Sequence, residues 1–442
     1  MPSKEELKSK VCQEIDGRSK EIIGMAQAVL ESPEPGFREV KTSRLVAQRF
    51  TELGIAYRDG LAITGVKGVV QGGSDGPTVA VLGELDSLIV PDHPKADPQT
   101  GAAHACGHHA QIGMLIGVAT ALTGSGVLPF LWGRVALMAV PAEEYIEIEF
   151  RENLRKEGKL SFLGGKPELI KMGEFDDIDM AMMTHTASAP EVKKLALGGT
   201  NNGMVAKLIQ FIGRGAHAGG SPHKGINALN AATIALSAIH AQRETFRDDD
   251  TIRVHPIITR GGKVVNIVPD DVRMETFVRG KTMEAVKGAN EKVDRALRAG
   301  AMAVGAKVRI TTLPGYLPIV NDPNLKELYR ANAISLVGKD EVGQLGHRTG
   351  STDMGDVSLI MPALHPYAGG ATGVGHGNDY LIQDYQLAVI NPAKAMAMTV
   401  IDLLADGAAK GREVLSKSKP HMTKQEYLAF MESLIKEEEY KG

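Results

Sequence analysis

Acidic and histidine side chains follow three of the apolar runs that the sequence predicts to be buried strands. They are Glu84 and Asp86 after strand 78–82, Glu143 and Glu144 after strand 135–140, and His185 after strand 180–183. Open α/β sheets bind ligands in the crevice at the carboxyl ends of their strands. Any one of these residues alone is typical of a solvated loop or a helix cap, but three such strand ends together predict a site at this edge of the sheet.

The loop HACGHH at 104–109 adds ligands of another kind. Cys106 and His108 are separated by one glycine, so that a thiolate and an imidazole can turn towards one cation. His376 lies in a glycine-rich stretch, where the backbone can approach a site closely. The alternatives are that Cys106 is a small buried hydrophobe, that His108 is a polar residue at a helix start, and that His376 is an ordinary loop residue.

The adjacent carboxylates Glu143 and Glu144 can divide the work of metal-assisted hydrolysis. One can bind a metal ion while the other acts as a general base on the water that the metal activates. Metal binding lowers the pKa of that water to about 7, and a positioned carboxylate can then carry the proton to a leaving nitrogen. Paired glutamates are also common on exposed loops, so the pair indicates this chemistry only beside the cysteine and the histidines.

A second polar cluster lies farther along the chain, in GRGAHAGGSPH at 213–223. Its glycine-rich turn presents His217, and Asn266 and Arg279 follow with an amide and a guanidinium. Such groups can hold a carboxylate or a developing oxyanion. Asparagine before a turn and arginine at a strand end are also frequent structural choices.

The elements that must position these residues change in style near residue 200. Before it, helices 19–31 and 112–122 alternate with buried strands, which favours an α/β layer architecture with a mostly parallel sheet. After it, the order β-α-β-β-α-β is typical of a ferredoxin-like α+β domain. We therefore predict a catalytic domain in two parts, 1–199 and 317–442, with an inserted domain at 200–316.

The composition fits a soluble enzyme and excludes several other classes. The 442 residues include 53 acidic and 50 basic side chains, a formal net charge of −3, and so lack the basic excess that nucleic-acid binding needs. No run of about 18 apolar residues indicates a membrane span, and the polar start MPSKEELKSK does not resemble a signal peptide. Two cysteines cannot form a disulfide framework, which predicts a cytoplasmic protein. The charged tail 423–441 predicts an exposed amphipathic helix.

Taken together, the motifs resemble those of the aminoacylase and carboxypeptidase metallopeptidases, the M20 peptidase family. The resemblance runs from SPEPGF at 32–37 to beyond His376, and it is carried by GELDSL, HACGH, PAEE, FDDIDMAMMTH, GAHAGGSPHKGINA, VNIVPD, GSTDMGD and GVGHG. The cysteine-containing amidohydrolase branch implies a divalent transition metal: manganese or zinc, with cobalt or nickel as alternatives. The metal ligands that it implies are Cys106, His108, Glu144, His185 and His376.

The resemblance also implies roles for the remaining residues. Glu143 is the expected general base, and Asp86 is expected to orient the metal ligands. His217 is expected to reach across a dimer interface and polarise the reacting group, while Asn266 and Arg279 hold the carboxylate of the substrate. The inserted domain is then a dimerisation domain that also acts as a lid. The implied partners are a small-molecule substrate and a second copy of the chain, with neither nucleic acid nor membrane.

Several positions depart from the family pattern. His109 stands where aspartate is common, and Glu84 stands where aspartate or histidine is usual, which makes it a candidate extra ligand. YIEIEF at 145–150 replaces a glycine-rich stretch, and the interval up to Phe175 is longer than is typical. These changes lie beside the expected metal and alter the surroundings of the substrate, but they leave the metal hydrolase class intact.

The same departures, with FLGGKPELI at 162–170, resemble a branch that includes nitroanthranilate aminohydrolase. In that branch activated water attacks an aromatic carbon that bears an amine, and ammonia leaves. We therefore rank a small aromatic carboxylate slightly ahead of an N-acyl-amino acid, an aminobenzoyl-amino acid or a peptide as the substrate. Residue spacing does not distinguish the two reactions. A family member that binds a ligand without catalysis is the remaining hypothesis.

Overall fold

The apolar runs form strands at the centre of the structure, a computed structural model that describes residues 2–442. The helices are α1 Lys4–Gly17, α2 Ser19–Leu30, α3 Val40–Glu52, α4 His108–Gly124, α5 Ile148–Lys156, α6 Gly165–Met172, α7 Ala228–Ala241, α8 Met283–Val304, α9 Pro323–Val337, α10 Met354–Ile360, α11 Asn391–Leu404, α12 Ala409–Lys417 and α13 Lys424–Ser433. The strands are β1 Ala56–Leu61, β2 Gly65–Gln71, β3 Ser74–Glu84, β4 Leu88–Ile89, β5 Ala102–Ala103, β6 Trp132–Val140, β7 Met180–Met182, β8 His185–Thr186, β9 Leu195–Leu197, β10 Gly203–Ile212, β11 Arg253–Val254, β12 Ile257–Arg260, β13 Asp271–Gly280, β14 Lys307–Pro314, β15 Val342–Gln344, β16 Ala363–Leu364, β17 Tyr367–Ala368, β18 Ala371–Thr372, β19 Leu381–Ile382 and β20 Lys436–Lys441.

The first sheet has six strands in the order β1-β2-β6-β3-β7-β16. Strands β6, β3, β7 and β16 are parallel to one another, whereas β2 pairs antiparallel with both β1 and β6. Val79, Val81 and Leu82 of β3 are buried, as expected for a strand that is covered on both faces. The predicted α/β class with a mostly parallel sheet is confirmed.

Helices cover both faces of this sheet. On one face α4 and α11 pack against it, and α4 is buried along nearly its whole length because α1, α2 and α11 enclose it. On the other face α6, α10 and α13 contribute Leu169, Val357 and Met431 to a second apolar cluster. The carboxyl ends of β3, β6 and β7 open into the crevice between the two helix layers.

One stretch, Gln386–Leu404, is long and apolar enough by length and composition to cross a membrane. It includes α11, and 89% of it is buried inside the protein. A core helix of this kind needs no membrane to cover its apolar side chains, since α1, α4 and α9 already cover them.

The second sheet is antiparallel, in the order β11-β13-β10-β14-β20, and β12 also pairs with β13. Helices α7 and α8 pack against it through small and branched side chains such as Ala231, Ala235 and Leu297. The inserted ferredoxin-like α+β domain is thereby confirmed as part of the fold, while the bounds 200–316 stay a prediction. The stretch 252–260 forms two short strands, β11 and β12, because the chain leaves the sheet between them.

The C-terminal segment differs from the expectation. The helix predicted over 423–441 ends at Ser433, and β20 pairs antiparallel with β14 of the second sheet. Charged side chains along β20 face solvent at the sheet edge, where Glu439 pairs with Arg309 at 3.0 Å. The charged sequence of β20 shows no strand pattern, because an edge strand of this kind needs few apolar residues.

Candidate metal centre

The predicted site residues lie in the crevice at the carboxyl ends of β3, β6 and β7. They come from several elements. Glu84 ends β3, Asp86 follows it, Glu143 and Glu144 occupy the loop after β6, His185 begins β8, and His108 begins α4. The sheet therefore brings together residues that are far apart in the sequence, as the strand-end argument predicts.

The loop before α4 depends on Gly107. This residue has a φ of 91°, in the left-handed region that favours glycine, and a Cβ at this position would collide with the side-chain oxygen of Thr186. The turn places Cys106 on one side of the glycine and His108 on the other, with their ligand atoms directed at the same point.

The five ligands that the family resemblance implies surround this point. Ligand atoms of Cys106, His108 and His185 lie within 4.8 Å of one another, and so do those of Cys106, Glu144 and His376. Cys106 Sγ is 3.3 Å from His185 Nε2, and His376 Nε2 is 3.6 Å from Glu144 Oε1. His108 Nε2 and Glu144 Oε1 are buried without a hydrogen-bond partner. Because buried polar atoms ordinarily find a partner, these orphaned atoms fit a divalent cation.

The protonation state of one histidine, His185, also fits a cation. Burial, followed by the charge of His108, lowers the pKa of His185 to about 3, so its imidazole is neutral. His185 Nδ1 faces the carbonyl oxygen of Thr186 at 2.6 Å, which leaves Nε2 as the free ligand atom. Burial raises the pKa of the Cys106 thiol well above its usual value, and the Glu144 carboxylate raises it further. A bound cation reverses that effect, because metal binding favours the thiolate.

Asp86 orients two of the ligands. Its Oδ2 accepts a hydrogen bond from the Glu144 amide at 2.9 Å, and its Oδ1 is 3.2 Å from His108 Nδ1. The Asp86 carbonyl oxygen also lies 2.9 Å from the same His108 nitrogen. With Nδ1 held in this way, His108 presents Nε2 to the centre, which is the role that carboxylates commonly have behind metal-binding histidines.

Glu143 lies beside the ligands with little exposure to solvent. Its Oε2 is 3.9 Å from His108 Nε2, and its carbonyl oxygen accepts a hydrogen bond from the Tyr316 hydroxyl. Burial and the nearby Glu84 and Glu144 carboxylates raise the pKa of Glu143 well above its usual value. A carboxyl group of raised pKa next to a metal site is suited to taking up and releasing a proton.

Glu84, the candidate extra ligand, is held by a buried lysine. Lys166 Nζ is 2.6 Å from Glu84 Oε1 and also contacts Asp353, and all three side chains are completely buried. Glu84 Oε2 accepts a hydrogen bond from Gln111 at 2.7 Å and lies 3.0 Å from His108 Nε2. The group Glu84, His108 and Glu143 lies within 4.8 Å, so Glu84 keeps one oxygen directed at the centre.

Neither Lys166 nor Asp353 is predicted from the sequence to be a site residue, although both lie in motifs that carry the family resemblance. Lys166 follows two glycines in FLGGKPELI, and Asp353 lies in GSTDMGD. From the sequence alone, a lysine is expected to be exposed to solvent. The burial of Lys166 depends on carboxylates that come from distant segments.

His109 turns away from the centre. Its Nε2 lies 3.4 Å from the Tyr385 hydroxyl, and its ring is 5.3 Å from that of His104. Burial, followed by the charge of His108, lowers the pKa of His109 to about 3. The residue that replaces the usual aspartate therefore packs behind the site as a neutral imidazole.

A cavity of about 500 Å³ opens onto the ligands. Its wall includes two guanidinium groups, those of Arg279 and Arg348, together with aromatic side chains such as Phe277, Tyr316 and Tyr367. Arg348 lies over the Tyr367 ring at 4.6 Å, and its Nη1 is buried without a hydrogen-bond partner. Arg348 is not predicted from the sequence, because it lies in none of the motifs that indicate the site.

Two predicted residues are not brought to the centre within one chain. His217 is exposed, with its Nδ1 accepting hydrogen bonds from the amides of Gly219 and Gly220. Asn266 is also exposed, and neither residue lines the cavity. Of the three residues expected from the second sheet, only Arg279 reaches the cavity. A contribution of His217 and Asn266 to the site requires a second copy of the chain.

Comparison with known proteins identifies this arrangement. A model of the peptidase dimerisation domain matches residues 200–303. The Xaa-Arg dipeptidase of Mus musculus is 30% identical over 345 residues, which cover 74% of this chain and 70% of that protein. The chain belongs to the M20 peptidase family. Another M20 relative, the N-acetyl-L-cysteine deacetylase of Bacillus subtilis, is 26% identical over 321 residues, covering 70% of this chain and 71% of that protein.

The fold is that of M20 proteins of known structure. A dinuclear metal-binding peptidase of the M20 family from Bacillus subtilis matches with a TM-score of 0.62 and 21% identity, covering 88% of this chain and 99% of that one. As an M20 protein, the chain is a metal-dependent hydrolase of the amidohydrolase and peptidase class. Its dimerisation domain supports a homo-oligomer.

Proposed function

We propose that the protein hydrolyses the amide bond of a small substrate that carries a carboxylate and an aromatic group. The observation that carries the proposal is the orphaned pair His108 Nε2 and Glu144 Oε1, buried beside Glu143 at a cavity whose wall includes two guanidinium groups. Arg279 and Arg348 suit an anionic substrate, since guanidinium groups bind carboxylates in bidentate geometry. The names of the M20 relatives support amide hydrolysis over the aryl-amine reaction that the sequence ranking placed first.

Five residues are proposed to hold the metal: Cys106, His108, Glu144, His185 and His376. A divalent transition metal bound there supplies a water of pKa about 7 and polarises the scissile carbonyl. Manganese and zinc are the proposed metals, with cobalt and nickel as alternatives, because a site of mixed thiolate, imidazole and carboxylate ligands accepts all four. The free thiol of Cys106 also favours a reducing compartment such as the cytoplasm.

Glu143 is proposed to move the proton. Its carboxylate lies next to the ligands, at 3.9 Å from His108 Nε2, and can accept a proton from the attacking water and deliver it to the leaving nitrogen. Asp86 holds the His108 ring and the Glu144 backbone in place during this transfer. Arg279, with Asn266 and His217 from a second copy of the chain, is proposed to hold the substrate carboxylate and polarise the reacting carbonyl.

The aryl-amine reaction remains the second candidate, because of the aromatic wall of the cavity. Phe277, Tyr316 and Tyr367 provide ring faces and edges on which an aromatic substrate can stack. Water would attack the ring carbon that bears the amine, and Glu143 would pass a proton from that water to the amine, which would depart as ammonia and leave a hydroxyl group on the ring. An aminobenzoate with an electron-withdrawing substituent is the substrate class for this reaction.

The deciding experiment measures both products from one panel of substrates. Metal-free protein is reconstituted separately with Mn²⁺, Zn²⁺, Co²⁺ or Ni²⁺ and assayed with dipeptides, N-acyl-amino acids, aminobenzoyl-amino acids and amino-aromatic acids. Release of a primary amine without ammonia from the amide substrates supports the proposal, whereas ammonia from amino-aromatic acids alone supports the second candidate.

Two variants check that the measured turnover comes from this site. Glu143→Gln is expected to abolish turnover while retaining bound metal, since Gln keeps the shape of the side chain without a basic carboxylate. Glu147→Gln is the matched control, because Glu147 lies on the same segment but pairs with Arg38 at the surface at 2.9 Å. Ligand binding without turnover by metal-loaded wild-type protein would instead indicate a non-catalytic family member.

A further inference from the structure

The segment that follows Glu144 contains a buried arginine without a counter-charge. Arg151 lies on α5, directly after the YIEIEF stretch at 145–150, and is 1% exposed. Among residues 2–442 no carboxylate forms an ion pair with it, and its Nε and Nη2 atoms lack a hydrogen-bond partner. Because burial of an unpaired charge is costly, the position of this guanidinium needs a specific reason.

The contacts of Arg151 give that reason. Its Nη1 donates hydrogen bonds to the carbonyl oxygens of Ala142 at 3.0 Å and Leu163 at 2.8 Å. The guanidinium also lies over the rings of Phe37 at 5.2 Å and Tyr145 at 5.8 Å. A Cβ at Gly36 would collide with Nη2, so this glycine leaves the space that the arginine fills. Arg151 thus joins Ala142, in the loop after β6, to Leu163, in the loop after α5.

Ala142 is the residue through which Arg151 reaches the metal centre. Ala142 has a φ of 55°, which is unfavourable for a residue with a Cβ. Its amide donates to the buried Glu39 carboxylate at 2.8 Å, and its carbonyl oxygen accepts from Arg151, so the residue is held on both sides. Glu143 comes next in the chain, followed by Glu144. The direction of both carboxylates therefore depends on the conformation held at Ala142.

We propose that Arg151 is a positioning residue that holds the Ala142 backbone and thereby aims the Glu143 and Glu144 carboxylates at the metal centre. Through Arg151, helix α5 fixes the backbone of the loop that follows β6. Tyr316 and Asp86 hold the backbones of Glu143 and Glu144 from other directions, whereas Arg151 holds the residue that precedes them. The inference rests on the proposed metal-dependent function.

The test compares Arg151→Met and Arg151→Lys with the wild-type protein. Methionine fills similar space without a donor, whereas lysine keeps a charged group that can donate to both carbonyls. We expect Arg151→Met to lower kcat by about 10- to 100-fold with KM within about twofold, the range seen when groups behind a metal site are removed. Arg151→Lys is expected to recover activity to within about tenfold of the wild type. Lys156→Met, which removes an exposed lysine from the same helix, is the matched control and should match the wild type.

A spectroscopic measurement separates positioning from stability. Protein reconstituted with Co²⁺ is titrated and its visible absorption recorded, since the ligand-field bands report the coordination geometry without any substrate. Arg151→Met is expected to shift these bands and weaken Co²⁺ binding, whereas Lys156→Met should leave both unchanged.

These measurements distinguish a failure of the proposed role of Arg151 from a failure of the proposed function. Wild-type spectrum and turnover in Arg151→Met would overturn the role of Arg151 while leaving the proposed function intact. No Co²⁺ binding by the wild-type protein would overturn the proposed function and this inference with it. If Arg151→Met does not fold, Arg151→Gln takes its place, because glutamine is too short to bridge both carbonyl oxygens: a shifted spectrum and a reduced kcat with unchanged KM support the role, and a wild-type result rejects it.

Discussion

Replacing Lys166 with methionine tests the buried charge arrangement behind the metal centre. In the wild-type protein the Lys166 ammonium contacts Glu84 and Asp353, and all three side chains are completely buried. Methionine retains the apolar part of the side chain but leaves two buried carboxylates without their ammonium partner. The change therefore removes the charge with little loss of packing.

The magnitude follows from the charge separation. Two unit charges about 4 Å apart at an effective dielectric constant of about 20 attract by about 4 kcal/mol. Breaking a buried pair by removing one partner costs about 3–5 kcal/mol for the same reason. We expect Lys166→Met to lower the free energy of unfolding by about 3–5 kcal/mol. The same substitution at Lys171 on α6, which pairs with Glu432 at the surface, should cost less than about 1 kcal/mol.

The deficit should also depend on pH. Burial alone raises the pKa of Glu84, but Lys166 and His108 outweigh burial and hold that pKa below its usual value. Such a depressed pKa stabilises the folded protein above the unfolded-state pKa, and the stabilisation is lost as the pH falls. In Lys166→Met the carboxylate pKa rises instead, so the variant gains stability when it is protonated. The difference between variant and wild type should therefore shrink as the pH falls from 8 to 5.

Urea unfolding of the metal-free proteins, followed by far-ultraviolet circular dichroism at pH 8 and pH 5, measures both effects. Adding Asp353→Asn to Lys166→Met removes one of the two unpaired charges and should recover part of the loss. The reasoning is refuted if Lys166→Met costs no more than Lys171→Met, or if its deficit is the same at both pH values.

Three further predictions follow from the site. Burial and the neighbouring Asp86 raise the pKa of Glu39 to about 8, so its stabilising contribution is present below its unfolded pKa and is lost as the pH rises through about 8. Glu39→Gln should therefore be less sensitive than the wild type to a rise from pH 6 to pH 9 in urea unfolding. Removal of the metal with a chelator should abolish turnover, and restoring it at 100 times its Kd should add about 2.7 kcal/mol to the free energy of unfolding, unless the cation binds the unfolded chain as tightly. Mixing the inactive variants Glu143→Gln and His217→Ala should restore activity in mixed dimers, and a mixture that stays inactive after subunit exchange would show that His217 does not act across the interface.

Much of the candidate site could be predicted because its ligand-type residues occur close together in short segments of the sequence. Strand ends carry the acids, and the loop before α4 carries Cys106 and His108 within three residues. These signals are local, so the sequence is sufficient to find them. The sheet then brings the segments together in the way that parallel strands require.

The residues that were missed act through tertiary contacts alone. Lys166 and Arg151 resemble surface residues in the sequence, and only the folded chain shows that they are completely buried. Strand β20 was predicted as a helix for a similar reason. Its charged residues carry no alternation of apolar side chains, and its structure is decided by the free edge of β14.

The pairing of β14 with β20 has a consequence for the order in which the chain folds during synthesis. Arg309 on β14 and Glu439 on β20 are separated by 130 residues, most of which lie outside the second sheet. The second sheet therefore keeps an open edge on the ribosome until the rest of the chain has been made. Unpaired strand edges promote association with other chains. Residues 436–441 thus cover a surface that a nascent or truncated chain would expose to aggregation.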